Sequence, residues 1–243
     1  MKIAAIGDIH APKYLQLLKE ALNNAPQDVD LLLLCGDLIL KGAYEHITSV
    51  ITLLRSKYRC PIYACFGNEE YESIEHRVVE LSKGDVVWLS DSMVQVKVSD
   101  ITLSIIGTRG CLDRPTRWQL RNIPGIAELY EKRVKKVDEL LSRASGKTLL
   151  LTHYVPTYLT LEGEDPKIWP ELGCRKMESV ILKRQPDIVI HAHAHRSTKP
   201  EAFLGFSKVF NASLPAIKKI LTIELRPEAS RKAVGTTLDL FIK

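Results

Sequence analysis

Ile3-Ala4-Ala5-Ile6-Gly7-Asp8-Ile9-His10 is a short apolar run that stops on a glycine and two side chains able to bind a cation. Four apolar residues suit a buried strand and are too few for the core of a signal peptide. Residues 14–23 then carry helical spacing, and residues 29–34 form a second apolar run that ends on Gly36-Asp37. Strand, helix, strand in this rhythm predicts a parallel sheet with helices packed on it. In such sheets ligands bind beyond the carboxyl ends of the strands, where Asp8, His10 and Asp37 would lie.

The rhythm continues with a helix over residues 43–55, a strand at 62–66 running into Gly67-Asn68, and a helix at 73–81. The middle changes character. Residues 86–89, 93–98 and 101–106 read as three strands with almost no helix between them, and Ser99-Asp100 suggests an antiparallel hairpin. After a loop over residues 108–122, Pro124 is expected to open a long helix to about Arg143, since proline is tolerated in a first helical turn. A further strand-helix-strand unit follows at 148–152, 171–184 and 188–190, and the tail adds strands near 208–211, 218–225 and 237–241. No repeat, low-complexity tract or linker divides the chain. Residues 1–243 are expected to form a single domain of the α/β class containing two sheets.

With 45% apolar and 26% charged residues among 243, the chain has the balance of a soluble globular protein, which excludes disordered and fibrous classes. A net charge of +5 tilts it mildly toward anionic partners, but acids and bases alternate and no basic arm stands out. The five cysteines (Cys35, Cys60, Cys65, Cys111 and Cys174) are odd in number and form no C-x-x-C pair. A reducing compartment is therefore expected. No apolar run approaches the roughly 18–20 residues of a membrane span, so a cytoplasmic protein without a membrane partner is the expectation.

Five short boxes each follow a predicted strand: Gly7-Asp8-Ile9-His10, Gly36-Asp37, Gly67-Asn68, Thr152-His153 and Ala192-His193-Ala194-His195. Alternate residues of an extended chain point the same way, so Asp8 with His10, and His193 with His195, are expected to present paired ligands. Of the seven histidines, four fall in these boxes, and His191 lies beside them. The donor set mixes imidazole, carboxylate and one amide oxygen, without thiolate. It suits Mn, Fe, Co, Ni or Zn better than a closed structural zinc site. A carboxylate shared by two cations holds them roughly 3.5–4 Å apart, the spacing used in two-metal phosphate chemistry.

The order D-x-H, G-D, G-N, H, x-H-x-H, running from residue 7 to residue 195, resembles the calcineurin-like metallophosphoesterases. That resemblance implies two packed mixed β-sheets flanked by helices, a four-layer α/β/β/α sandwich. It further implies that Asp8, His10 and His195 hold one divalent transition-metal ion, that Asn68, His153 and His193 hold a second, and that Asp37 bridges both. Manganese is the first expectation, with Fe, Zn, Ni and Co as alternatives. The implied chemistry is hydrolysis of a P–O ester, of a phosphodiester in particular, by in-line attack of a metal-bridging hydroxide. Asp37, Asn68, His153 and Glu69 are the catalytic candidates.

The sequence departs from the family pattern in two boxes. Where the family's commonest form reads G-N-H, with a histidine assisting the leaving group, this chain has Gly67-Asn68-Glu69-Glu70. Glu69 therefore stands either as a general acid, which requires burial to raise its pKa, or as a loop carboxylate that orients others. Ala192 replaces the usual glycine, and His191 is read as a supporting group instead of a ligand. Asn211-Ala212-Ser213 resembles the family's N-P-G-S turn and is read as structural. Arg109, Arg114, Arg117 and Arg121 surround Trp118, and the first three with Trp118 are the candidate substrate-binding residues. A small phosphate ester is the expected partner. A nuclease using the same centre is the alternative, and a non-catalytic scaffold on the same fold a second one.

Overall fold

In the computed structural model, which describes residues 1–226, the apolar runs become strands of two sheets. The strand expected at 237–241 lies outside the described residues. The first half of the chain gives β1 (Lys2–Ile6), α1 (Leu15–Asn23), β2 (Leu31–Cys35), α2 (Ile47–Lys57), β3 (Ile62–Cys65), α3 (Glu75–Leu81) and β4 (Val86–Trp88). The second gives β5 (Ser92–Val98), β6 (Ile101–Thr108), α4 (Arg117–Asn122), α5 (Ile126–Arg143), β7 (Lys147–Thr152), α6 (Arg175–Arg184), β8 (Ile188–His191), β9 (Glu201–Leu204), β10 (Ser207–Asn211), α7 (Leu214–Ile217) and β11 (Leu221–Glu224).

One sheet runs β11-β1-β2-β3-β4, parallel except for β11. The other runs β5-β6-β7-β8-β10-β9, with both outer strands antiparallel to a parallel centre. Both sheets are mixed, as the resemblance implies. Strand alternation sets the layers. Ile3, Ala5, Leu31 and Leu33 face Leu103, Ile105, Leu149 and Leu151 in the core between the sheets. The intervening Ala4, Ile6, Leu32 and Leu34 pack against α1 and α2, while Ile106, Leu150 and Val189 pack against α5 and α6. Continuous apolar strands are thus buried on both faces, which gives a four-layer α/β/β/α sandwich.

The hairpin expected about Ser99-Asp100 is present as β5 and β6 at the edge of the second sheet, whereas the first of the three middle strands, β4, pairs with β3 in the first. Several other local expectations need correction. The chain crosses between sheets at Leu89-Ser90-Asp91, with Asp91 at φ 46°. Pro124 does not start α5, because Gly125, at φ 71°, intervenes as its N-cap. The expected loop at 108–122 holds α4, whose Thr116 and Gln119 form a reciprocal capping box. The helix expected at 171–184 begins only at Arg175, because Gly173 bridges to Val155. The strand expected at 218–225 starts at Leu221, after Lys218 closes α7 at φ 54°.

Candidate metal centre

The boxes converge where the carboxyl ends of both sheets meet, but not through extended backbone. Asp8, His10, Asp37 and His193 lie at φ 56°, 44°, 52° and 69°, in the left-handed region. The alternation argument for Asp8 with His10 and His193 with His195 therefore fails, and tight turns aim these side chains instead. Cross-bonds hold the turns. Asp8 Oδ2 accepts from the His193 N–H at 2.8 Å, and Asp37 Oδ1 from the Glu69 N–H at 2.7 Å. Gly67 is required by proximity: a Cβ there would meet Asp37 Oδ1 at 2.2 Å.

Two groups of donors result, Asp8 with His10 and His195, and Asp37 with His153 and His193. Asp37 also groups with His10 and Glu69, so it stands between the two. His195 Nε2 lies 3.3 Å from Asp8 Oδ2, and His10 Nε2 lies 3.9 Å from Asp8 Oδ1 and 3.8 Å from Asp37 Oδ2. His153 Nε2 lies 3.5 Å from Asp37 Oδ2 and 3.0 Å from Asn68 Oδ1.

The protonation pattern tests whether cations fit. Burial pushes His10 and His153 down to about 4 and His193 well below its usual value, so all three are neutral near pH 7. Burial also opposes protonation of His195, but the hydrogen bond and charge of Asp8 outweigh it and raise that imidazole. Burial, with Glu70 and Asp8 nearby, drives Asp37 well above the carboxylate range. His153 Nδ1 faces the Cys35 carbonyl at 2.9 Å and must donate to it. In a neutral ring Nε2 then carries a lone pair, and it faces the oxygens of Asp37 and Asn68. Acceptors opposed at that range repel unless a proton on Asp37 or a metal cation lies among them. Asp8 Oδ1 and His193 Nδ1 are likewise buried without a hydrogen-bond partner. The donors fit divalent metal ions.

Other residues from the sequence reading fall elsewhere. His191 is fully buried and bonded to Thr160 Oγ1 and the Ala192 carbonyl, each at 2.8 Å, outside both donor groups. Asn211 Nδ2 donates to the Ala194 carbonyl at 2.8 Å and so braces the His193–His195 turn. Glu69 accepts from the Lys41 N–H and lines a cavity beside the donors. The four substrate-binding candidates separate. Arg109 and Trp118 line that cavity, but the Arg109 guanidinium is already bonded to Glu75 Oε1 at 2.6 Å and the Glu70 carbonyl at 2.7 Å. Arg114 turns away to Glu171 at 3.0 Å, and Arg117 is exposed on α4 outside the lining. Trp118 is 52% exposed and stacks on Tyr71.

Glu70 was missed. Fully buried, it accepts four backbone N–H groups: Asp37 at 2.8 Å and Gly67 at 2.7 Å on Oε2, Leu38 at 2.7 Å and Ile39 at 3.2 Å on Oε1. It ties the G-D turn to the G-N turn. The only signal in the sequence was a second glutamate after Asn68.

A model of the calcineurin-like phosphoesterase family matches residues 1–197. No protein of curated function matches the chain. Among solved structures, TT1561 of Thermus thermophilus is 18% identical with a TM-score of 0.58, covering 93% of this chain and 99% of its own. A hypothetical protein from the same organism is 15% identical with a TM-score of 0.56, covering 87% and 75%. At these identities the two structures show the fold alone.

Proposed function

From the premise that the chain belongs to the calcineurin-like phosphoesterase family, we propose that it is a dinuclear phosphodiesterase, with manganese in both sites, acting on a small organic phosphate ester. Family and donor clusters together support the coarser statement, a phosphoesterase dependent on divalent metal ions. The observation that carries the finer reading is the position of Asp37 between two donor groups. Asp8, His10 and His195 would hold one ion, Asn68, His153 and His193 the other, and Asp37 both.

Divalent ions held by these residues would supply a water of lowered pKa and neutralise charge on the phosphoryl oxygens. The chain's own groups prepare the place. Glu70 fixes the backbone on either side of Asp37, and the Cys35 carbonyl sets the His153 tautomer. In the reaction a water oxygen bonds to phosphorus as the ester P–O bond breaks; the leaving oxygen departs with the bonding pair as an anion, and the proton lost by the water passes to solvent. Glu69 is engaged as an acceptor by the Lys41 N–H, so we assign it to orienting the G-N turn instead of protonating that oxygen. Esters with acidic leaving groups should therefore react much faster than alkyl esters.

Bis(p-nitrophenyl) phosphate and p-nitrophenyl phosphate, each assayed with Mn, Fe, Co, Ni and Zn and again after chelation, test the proposal. Diester turnover that requires metal, with about two ions bound per chain, is expected. A bound metal pair without turnover of either ester would refute it.

A further inference from the structure

The cavity beside the donors has a volume of about 960 Å³ and is lined by Asn68, Glu69 and His193 together with residues of α4 and α5. That size is at the upper end of what small-molecule sites show, so room remains for a large organic group beyond the phosphate. The character of the remaining wall says what kind. Leu112, Ile126 and Leu129 are apolar, and Trp118 offers an indole face that is not used up by its stack on Tyr71 at 5.7 Å.

Cations reach the same wall, but acids answer them. Arg133 is bonded to Asp91 Oδ2 at 3.0 Å and the Gly110 carbonyl at 2.9 Å, and Arg109 to Glu75. Glu69 and Glu72 line the cavity beside Lys41. No surplus of positive charge is left for a second phosphate or a carboxylate. Deeper in, the rings of Tyr130 and Tyr154 meet edge to face at 6.3 Å and their hydroxyls pair with each other, so this end of the wall adds aromatic surface.

We infer that the substrate is a phosphate ester whose organic group is uncharged, predominantly apolar and ring-bearing. The inference rests on the phosphoesterase reading and narrows its substrate class. It also separates small esters from polynucleotides, whose neighbouring phosphates would need the arginines that this wall has already paired.

The test is inhibition of bis(p-nitrophenyl) phosphate turnover, by the manganese-loaded full chain, with methylphosphonate, phenylphosphonate, 1-naphthylmethylphosphonate, 4-carboxyphenylphosphonate and a single-stranded oligonucleotide. From methyl to naphthylmethyl the inhibition constant should fall on the order of tenfold or more, as ring surface leaves water. The carboxylated ring should bind no tighter than the plain one. The methyl-to-naphthylmethyl ratio should shrink in Trp118→Ala, an exposed position, and in Leu129→Gln. A flat series, or tightest inhibition by the oligonucleotide or the carboxylated ring, overturns the inference while leaving the phosphoesterase reading in place. Absence of diester turnover with every metal removes that reading and this one with it.

Discussion

Glu70→Gln removes one negative charge and exchanges one acceptor oxygen for an NH2 group. Each carboxylate oxygen serves two backbone N–H groups, Asp37 with Gly67 on one and Leu38 with Ile39 on the other. Whichever way the amide turns, two buried donors lose their acceptor and face a donor instead. An orphaned buried N–H costs about 1–3 kcal/mol, so the loss lies in the range of about 2–6 kcal/mol. Burial offsets part of this. It is the main reason the Glu70 carboxyl is held above its usual value, and a neutral amide escapes that desolvation. A net loss of about 2–4 kcal/mol is expected. Urea unfolding in excess chelator, followed by tryptophan fluorescence, measures it without contribution from metal. Manganese content at fixed free metal reports the second consequence, because the same bonds hold the backbone of Asp37. Glu69→Gln is the neighbouring control and should cost less than about 1 kcal/mol. If Glu70→Gln unfolds within about 0.5 kcal/mol of the parent and binds metal normally, the clamp contributes nothing and the reasoning is wrong.

Asp37→Asn should lower occupancy of both ions, whereas Asn68→Ala should chiefly weaken one; metal analysis on the two variants separates them, and equal losses would contradict the shared-carboxylate assignment. Arg114→Ala should leave KM for the model diester within about twofold, since its guanidinium serves Glu171 and the Lys167 carbonyl. Asp138, bonded to Arg184 and Lys183, is held down to about 2. Because that pKa lies below the unfolded value of about 3.9, its stabilisation is present above pH ~4 and fades as pH falls toward 2. Being partly exposed, the pair contributes no more than about 1 kcal/mol. Asp138→Asn should therefore lower the urea midpoint slightly at pH 7, less in high salt, and progressively less as pH falls through 2.

The strand-helix alternation was legible because each buried strand writes an unbroken apolar run, as in Leu31–Cys35. The boxes were legible because glycine precedes most of them. What escaped were relations between distant residues. Nothing local tells β4 from β5, since the difference is which strand each finds as a partner. Arg109 and Arg114 look alike in sequence, and only Glu75 and Glu171, brought in by other elements, decide that one borders the cavity and the other does not. The left-handed turns at Asp8, His10 and His193 were hidden for a related reason. Such backbone is costly alone and exists here because surrounding bonds compel it.

Neither donor group belongs to a single sheet. His195 from the far side of the sandwich joins Asp8 and His10, and Asp37 from the near side joins His153 and His193. An ion in either group would act as a rivet through the seam, adding RT ln(1 + [L]/Kd) to the free energy that keeps the two halves together. Loosening the seam anywhere along its length, for instance at Leu33 or Leu151, would then register first as weakened ion affinity, well before the strands themselves come apart.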